Sequence, residues 1–316
     1  MSKIPDQESL MAAHERVAPF IHRTPVYTSE SLNKIAGANL FFKCENFQKV
    51  GAFKARGGMN AVLSLPAEDR KAGVATHSSG NHAQAVALAA RENGVKAYIV
   101  MPSNSASVKK AAVLGYGAEL IECEPTLQAR EDTLQKVIDE TGAILIHPYD
   151  DYRIIEGQGT AAKELIEDIN DRLDYILTPV GGGGMLSGTS LSAHYFSAGT
   201  KVIGCEPSGA DDAYRSFTSK ELVPQTNPQT ICDGLRTSLG RKPFEIILKH
   251  VEDILLADDA EIVAAMQLIW ERMKIVVESS SAVPLAALLR NKERFAGKNV
   301  GIVISGGNVD LKALPF

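Results

Sequence analysis

Short apolar runs alternate along this chain with longer segments of helical period, and several of the runs end in a glycine-containing turn. The runs are residues 40–44, 74–77, 97–101, 119–123, 143–147, 175–180, 201–206 and 300–305. Residues 80–93, 105–114, 127–141, 157–170, 184–197, 258–273 and 279–291 place apolar side chains at helical spacing. Parallel strands need a crossover between them, usually a helix, so this alternation predicts an α/β architecture with largely parallel sheets. In such sheets, ligands gather beyond the carboxyl ends of the strands. Three turns lie at such positions: Ser78-Ser79-Gly80-Asn81, Gly181-Gly182-Gly183-Gly184 and Ser305-Gly306-Gly307-Asn308. Residues 207–228 are polar and weakly periodic, and are expected to form a surface excursion with some helix.

Two segments carry chemistry. Gly51-Ala52-Phe53-Lys54-Ala55-Arg56-Gly57-Gly58 sets a lysine among small residues, and a lysine amine can condense with an aldehyde. Pro179-Val180-Gly181-Gly182-Gly183-Gly184-Met185 is a glycine run that opens a helix. Such a turn presents backbone N–H groups to a phosphate, and glycine leaves the approach unobstructed. An aldehyde and a phosphate on one small molecule describe pyridoxal 5′-phosphate. Each segment also has a plainer reading: Lys54 as a solvated lysine, the glycines as a mobile loop or a nucleotide site. The run lacks the Gly-Lys-Ser/Thr ending of a P-loop and the spacing of a dinucleotide fold, which disfavours both of those classes. The Ser-Ser-Gly-Asn turn precedes an alanine-rich helix, where free N–H groups suit an amino-acid carboxylate or simply receive an N-cap.

Composition narrows the setting. The 316 residues are 45% hydrophobic and 22% charged, enough for a substantial core in one large or two compact units. A formal net charge of −5 gives no nucleic-acid surface. No run is long and apolar enough to span a bilayer, and the N-terminal residues mix both charge signs without a secretory pattern, so a cytoplasmic protein is expected. Cys44, Cys123, Cys205 and Cys232 are far apart, which argues for reduced, buried thiols rather than zinc ligands or disulfides.

Six stretches, in order along nearly the whole chain, resemble the serine/threonine dehydratase and serine racemase group of fold-type II pyridoxal-phosphate enzymes. They are Lys43-Cys44-Glu45-Asn46-Phe47-Gln48, the Lys54 segment, Ser78-Ser79-Gly80-Asn81-His82, Gly157-Gln158-Gly159-Thr160, the four glycines, and Ser305-Gly306-Gly307-Asn308. The likeness is greatest to serine racemases and L-threo-3-hydroxyaspartate dehydratases. It implies a tryptophan-synthase-β-like fold with two open, twisted, mainly parallel sheets and flanking helices. Residues 1–72 and 150–316 would form a large cofactor-binding domain, with 73–149 a small mobile domain, and the protein would be a homodimer.

The resemblance also assigns roles. Lys54 is the Schiff-base lysine, Phe53 and Asn81 flank the ring, and Gly181, Gly182, Gly183, Gly184 and Met185 form the phosphate cup. Ser305 meets the pyridine nitrogen; a hydroxyl there weakens the electron sink and suits β-elimination. Glu278 lies near the cofactor, although Glu278-Ser279-Ser280-Ser281 departs from the family's usual Glu-Pro-Thr/Ser. Ser79 is the acid/base on the opposite face, permitting inversion at Cα. Ser78, Ser79, Asn81, His82 and Thr237 surround the substrate. Arg130, with Arg236 as a second candidate, is placed to recognise a side-chain carboxylate. Glu206, Ala210 and Asp212 align with a divalent-cation site for Mg²⁺, or Ca²⁺ or Mn²⁺, whose hard oxygen ligands suit such ions. Val50 stands where vertebrate racemases carry a threonine in their ATP pocket, which leaves nucleotide activation open. The few residues after Asn308 leave no room for the regulatory domain of biosynthetic threonine dehydratases, so feedback inhibition by isoleucine is not expected. The expected reaction is dehydration of 3-hydroxy amino acids, with serine racemisation beside it. A primary racemase, a threonine dehydratase and a non-catalytic cofactor carrier are the alternatives.

Overall fold

A computed structural model describes residues 3–316. Its strands are β1 (Val26–Tyr27), β2 (Asn39–Cys44), β3 (Val74–His77), β4 (Ala97–Pro102), β5 (Glu119–Cys123), β6 (Ile144–Leu145), β7 (Tyr175–Pro179), β8 (Lys201–Pro207), β9 (Asp253–Ala257) and β10 (Asn299–Ile304). The helices are α1 (Gln7–Val17), α2 (Glu30–Ala36), α3 (Lys54–Leu63), α4 (Ala67–Ala72), α5 (Asn81–Glu92), α6 (Ser107–Gly115) and α7 (Leu127–Thr141). They continue as α8 (Tyr152–Asp168), α9 (Gly184–Phe196), α10 (Asp212–Ser219), α11 (Arg241–His250), α12 (Asp259–Met273), α13 (Ser279–Arg290) and α14 (Lys292–Phe295).

The strands form two sheets, one of six strands in the order β1-β2-β10-β7-β8-β9 and one of four in the order β5-β4-β3-β6. β1 runs antiparallel to β2, and the other pairings are parallel. Strands covered on both faces read as continuous apolar runs, which is why the central ones are visible in the sequence. One face of the large sheet buries Leu40, Phe42 and Ile302 against Ile269 of α12 and Leu288 of α13. The other buries Ile176, Val202 and Val303 against Leu165 of α8, Leu186 of α9 and Ile247 of α11.

All four strands of the second sheet come from residues 74–145. Its core does not close on itself. Val74, Ile99 and Met101 share a cluster with Met59 and Val62 of α3 and Ile154 of α8. Gly58 lies so near α5 that a Cβ there would meet Ala85 at 3.1 Å, so α3 and α5 pack almost backbone to backbone.

Local signals explain most element ends. The Thr126 hydroxyl accepts from Ala129 N at 3.1 Å, and Gly142 takes a left-handed φ of +71°, bounding α7 at 127–141 as expected. α8 starts five residues earlier than its periodicity predicts (157 against 152), because Asp151 caps it by accepting from Arg153 N. β6 is shorter than expected: the His147 ring accepts from the backbone of Tyr149 and Asp150, turning the chain out of the sheet. Residues 207–228 hold α10 within otherwise irregular backbone. Among the described residues, no helix is long and apolar enough to cross a membrane, and the four cysteines are free and buried.

Candidate active site

Lys54 is the first residue of α3. Its amine donates to the Pro148 carbonyl at 2.9 Å and lies 5.1 Å from the centroid of the Phe53 ring. Among the described residues it has no carboxylate within ion-pair distance, although protein atoms crowd the amine. Burial pulls it down to about 8, and the charge of Glu278 works against that fall. Phe53 is anchored in turn, its N–H donating to the Ser305 carbonyl at 2.9 Å.

The Ser305 hydroxyl lies 2.9 Å from that of Ser281, which donates to the Gly306 carbonyl at 2.7 Å and accepts from Gly306 N at 2.8 Å. Ser281 therefore fixes the Ser305 hydroxyl at the end of β10. Glu278 precedes α13, and both of its oxygens accept from the Asn81 amide at 3.2 Å. Burial raises Glu278 to about 7, against the pull of the Asn81 bond. Asn81 also accepts from Asn308 at 2.8 Å, so one amide at the start of α5 touches the ends of two other segments.

The glycine run caps α9. Gly183 takes φ +88° with no capping side chain, so the first N–H groups of the helix lack intrahelical acceptors. A Cβ on Gly182 would lie 2.2 Å from the Tyr149 ring, and one on Gly181 2.9 Å from Leu235 Cα. Only glycine permits this approach. The residues thus fit pyridoxal phosphate: a crowded amine without an anionic partner, a helix start with free N–H groups for a phosphate, and a hydroxyl fixed at the end of β10.

Ser78 and Ser79 lie half-buried in the turn before α5, where the Ser78 hydroxyl accepts from Gly80 N at 3.3 Å. His82 is buried, and one ring nitrogen pairs with the Ile146 carbonyl at 3.1 Å while Nδ1 has no partner. Burial, with Lys54 nearby, keeps this imidazole neutral. Thr237 is exposed beyond the turn at Asp233–Leu235. Arg130, in the first turn of α7, donates back to the Thr126 carbonyl at 3.4 Å. Arg236 donates to the Thr230 carbonyl at 2.5 Å and pairs with Asp233 at 3.2 Å, so it is engaged locally.

Glu206 and Asp212 come together at the start of α10. Glu206 accepts from Ala213 N at 3.0 Å and Tyr214 N at 2.8 Å; Asp212 accepts from Leu239 N at 2.7 Å. Ala210 is buried between them in sequence. Asp212 Oδ1 is buried without a partner. Burial and the second carboxylate drive Glu206 well above the ordinary range, and burial raises Asp212 to about 6. Two buried acids that resist ionisation fit a divalent cation, which would supply the missing charge. Among the described residues no cluster of three or more His, Cys, Asp or Glu side chains has metal-binding geometry, so such a site would need a backbone carbonyl and water.

The chain matches the pyridoxal-phosphate dependent enzyme family over residues 17–306. It belongs to that family. Among its relatives is a beta-hydroxyaspartate dehydratase of Paracoccus denitrificans, 51% identical over 313 residues that cover 99% of both chains. An L-threo-3-hydroxyaspartate ammonia-lyase of Saccharomyces cerevisiae is 46% identical, covering 98% of this chain and 95% of its own. The crystal structure of serine racemase from Dictyostelium discoideum superposes with a TM-score of 0.94 at 47% identity, covering 98% of this chain and all (100%) of that one. The cofactor and the fold-type II architecture expected from the motifs are therefore those of this pyridoxal-phosphate-dependent enzyme's own family.

Three contributors escaped the sequence reading: Pro148, Tyr149 and Ser281. Pro148 and Tyr149 follow a strand, and the rule that sites gather at carboxyl ends of strands would have flagged them. Ser281 was read only as part of the Glu278-Ser279-Ser280-Ser281 stretch, and its bond to Ser305 depends on α13 meeting the end of β10.

Proposed function

We propose that this enzyme removes water from 3-hydroxy amino acids, 3-hydroxyaspartate foremost, giving a 2-oxo acid and ammonia, and that it also inverts serine at Cα. The carrying observation is the crowded Lys54 amine, brought to about 8 with no carboxylate paired to it, in a chain 51% identical to a hydroxyaspartate dehydratase.

Lys54 would hold the carbonyl carbon of pyridoxal phosphate, and the N–H groups of Gly181, Gly182, Gly183, Gly184 and Met185 its phosphate. Ser305 would meet the ring nitrogen, Asn81 the phenolic oxygen, Phe53 a ring face and Glu278 the ring's edge. When bound, the cofactor supplies a sink for the electron pair left on Cα. The Lys54 amine, with its affinity for protons lowered, accepts the Cα proton near neutral pH. The Cα–H and Cβ–OH bonds break, a double bond forms between the carbons, and water leaves. The released enamine tautomerises and hydrolyses to the 2-oxo acid and ammonia. Ser79, on the other face, returns a proton with inversion when the hydroxyl stays.

Ser78, Ser79, Asn81 and the N-terminus of α5 receive the substrate carboxylate, with neutral His82 holding the turn against Ile146. Thr237 and Arg130 border the side chain, and Arg130 pairs with a second carboxylate. Movement of residues 73–149 against the rest excludes water from the reacting atoms. Glu206, Asp212 and the Ala210 carbonyl bind Mg²⁺, Ca²⁺ or Mn²⁺ and steady the segment leading to Thr237. The active form is a cytoplasmic homodimer, as in the group the motifs resemble.

Ammonia release from L-threo-3-hydroxyaspartate and L-serine, compared at equal concentration with Mg²⁺ and pyridoxal phosphate, tests the reading. Strong preference for hydroxyaspartate supports it. Little release from either, with D-serine forming from L-serine, moves the main activity to racemisation, the reading favoured by the 0.94 superposition on a serine racemase. Turnover retained after Lys54→Ala refutes the assignment of the amine.

A further inference from the structure

A buried ionic cluster, unused by the reaction, lies directly behind Lys54. Arg56, two residues further along α3, is fully buried. Residues two apart on a helix point to opposite sides, so Arg56 faces inward while Lys54 faces the cleft. Its guanidinium donates to both oxygens of Glu45, at 2.7 and 2.8 Å, and to both oxygens of Glu164, at 2.8 and 2.7 Å. It also reaches Thr160 Oγ1 at 3.1 Å and the His22 carbonyl at 3.4 Å. Lys43 completes the group, donating to Glu164 and to the Thr24 carbonyl, each at 2.7 Å. Two buried cations thus face two buried carboxylates, with Asp168 at 3.6 Å from Lys43 on the cluster's edge.

Glu45 directly follows β2 and Arg56 lies in the first turn of α3, so their fork-to-fork pair closes the segment that carries Lys54. Before the helix, that segment is tethered to the end of β10 by the Phe53 N–H on the Ser305 carbonyl, the Gly307 N–H on the Gly51 carbonyl and the Asn308 amide on the Val50 carbonyl, but the start of the helix itself is weak. Phe53 supplies no side-chain cap, and Gly57 and Gly58 weaken the first turns of the helix. Val50 and Gly51 both take left-handed φ, at +56° and +65°. Glu164 and Thr160 extend the clamp to α8, against which α3 packs so closely that a Cβ on Gly157 would lie 2.6 Å from Gly57 Cα.

We propose that Arg56 is a positioning residue: its double fork closes the 45–56 segment onto α8 and thereby fixes where the Lys54 amine points. This rests on Lys54 being the reactive amine. The groups that face that amine are Glu278 from the segment before α13, His82 from α5 and His147 from the end of β6. None belongs to the clamp, so a change at Arg56 reaches Lys54 only by moving it.

The test uses the full chain with Arg56→Lys, which keeps the charge and loses the fork, and with Glu45→Gln, which loosens the clamp from its other end. In cofactor-free protein, competitive acylation of Lys54 across pH, read by peptide mass spectrometry, measures its proton affinity without reference to turnover. Both variants should raise the midpoint of Lys54 labelling by one pH unit or more toward the ordinary lysine range. In the loaded enzyme, kcat should fall at least tenfold with KM within threefold. A lowered Tm with unchanged Lys54 labelling and unchanged kcat makes the cluster a stability element and overturns the proposal. Failure of both variants to fold overturns it equally. If Lys54→Ala keeps turnover, the reading of the amine fails instead, and the labelling result still stands by itself.

Discussion

The Lys54 amine should destabilise the cofactor-free protein, and Lys54→Met should relieve it. The ordinary lysine value is 10.5 and the folded value about 8, which corresponds to about 3 kcal/mol against the charged form at roughly 1.4 kcal/mol per pH unit. The residue keeps some surface toward the cleft, where solvent screens the charge, and methionine forfeits the bond to Pro148, worth about 1 kcal/mol. A net gain of about 1–2 kcal/mol at pH 7 remains. The sign follows from proton counting. Between pH 8 and 10.5 the unfolded chain binds the lysine proton and the folded chain does not, so wild-type stability rises with pH across that window. Below 8 the penalty is fully present; above 10.5 it is gone. Urea denaturation of both cofactor-free proteins at pH 7 and 10.5 should therefore show Lys54→Met the more stable at pH 7. At pH 10.5 it should be equal or slightly weaker, for want of the hydrogen bond. Equal stability at pH 7, or a difference that does not change with pH, would refute the reasoning.

Three further outcomes are expected. Val50, a β-branched residue at φ +56°, should tolerate Asn or Gly with a gain of about 1 kcal/mol in denaturant unfolding, since left-handed backbone costs it about that much. Gly182→Ala sets a methyl 2.2 Å from the Tyr149 ring and should weaken pyridoxal phosphate binding at least a hundredfold in an absorbance titration. Mg²⁺ or Ca²⁺ should raise the Tm of the wild type but not of Asp212→Asn, which removes the unpartnered buried oxygen's charge.

Much of the site was legible because its chemistry is local in sequence. The glycine run and the Ser305 turn follow adjacent parallel strands of the large sheet, the Ser-Ser-Gly-Asn turn follows a strand of the second sheet, and ligands gather beyond the carboxyl ends of such strands. What stayed hidden depends on contacts between distant segments or on weak local signals. α3 was not anticipated, since Gly57 and Gly58 spoil its helical propensity; packing on α5 and α8 and the Arg56 clamp hold it instead. β1 has two residues, too few to show a period. Tyr149 was passed over although it follows a strand, and its approach to Gly182 shows what it does there. The second sheet is built from residues 74–145, and the apolar cluster beneath it continues into α3 and α8.

The order of the large sheet also bears on how the molecule is made. β10, synthesised after β1 to β9, lies between β2 and β7, pairing Asn39 with Asn299 and Tyr175 with Val300. Until it arrives, β2 and β7 each present an unpaired edge, which invites association with other chains. Ser305 directly follows that strand, so a nascent chain displays Lys54 and the glycine run before it owns Ser305. The large sheet is then complete only once β10 is in place, and truncation anywhere before residue 299 should give aggregation rather than a weaker enzyme.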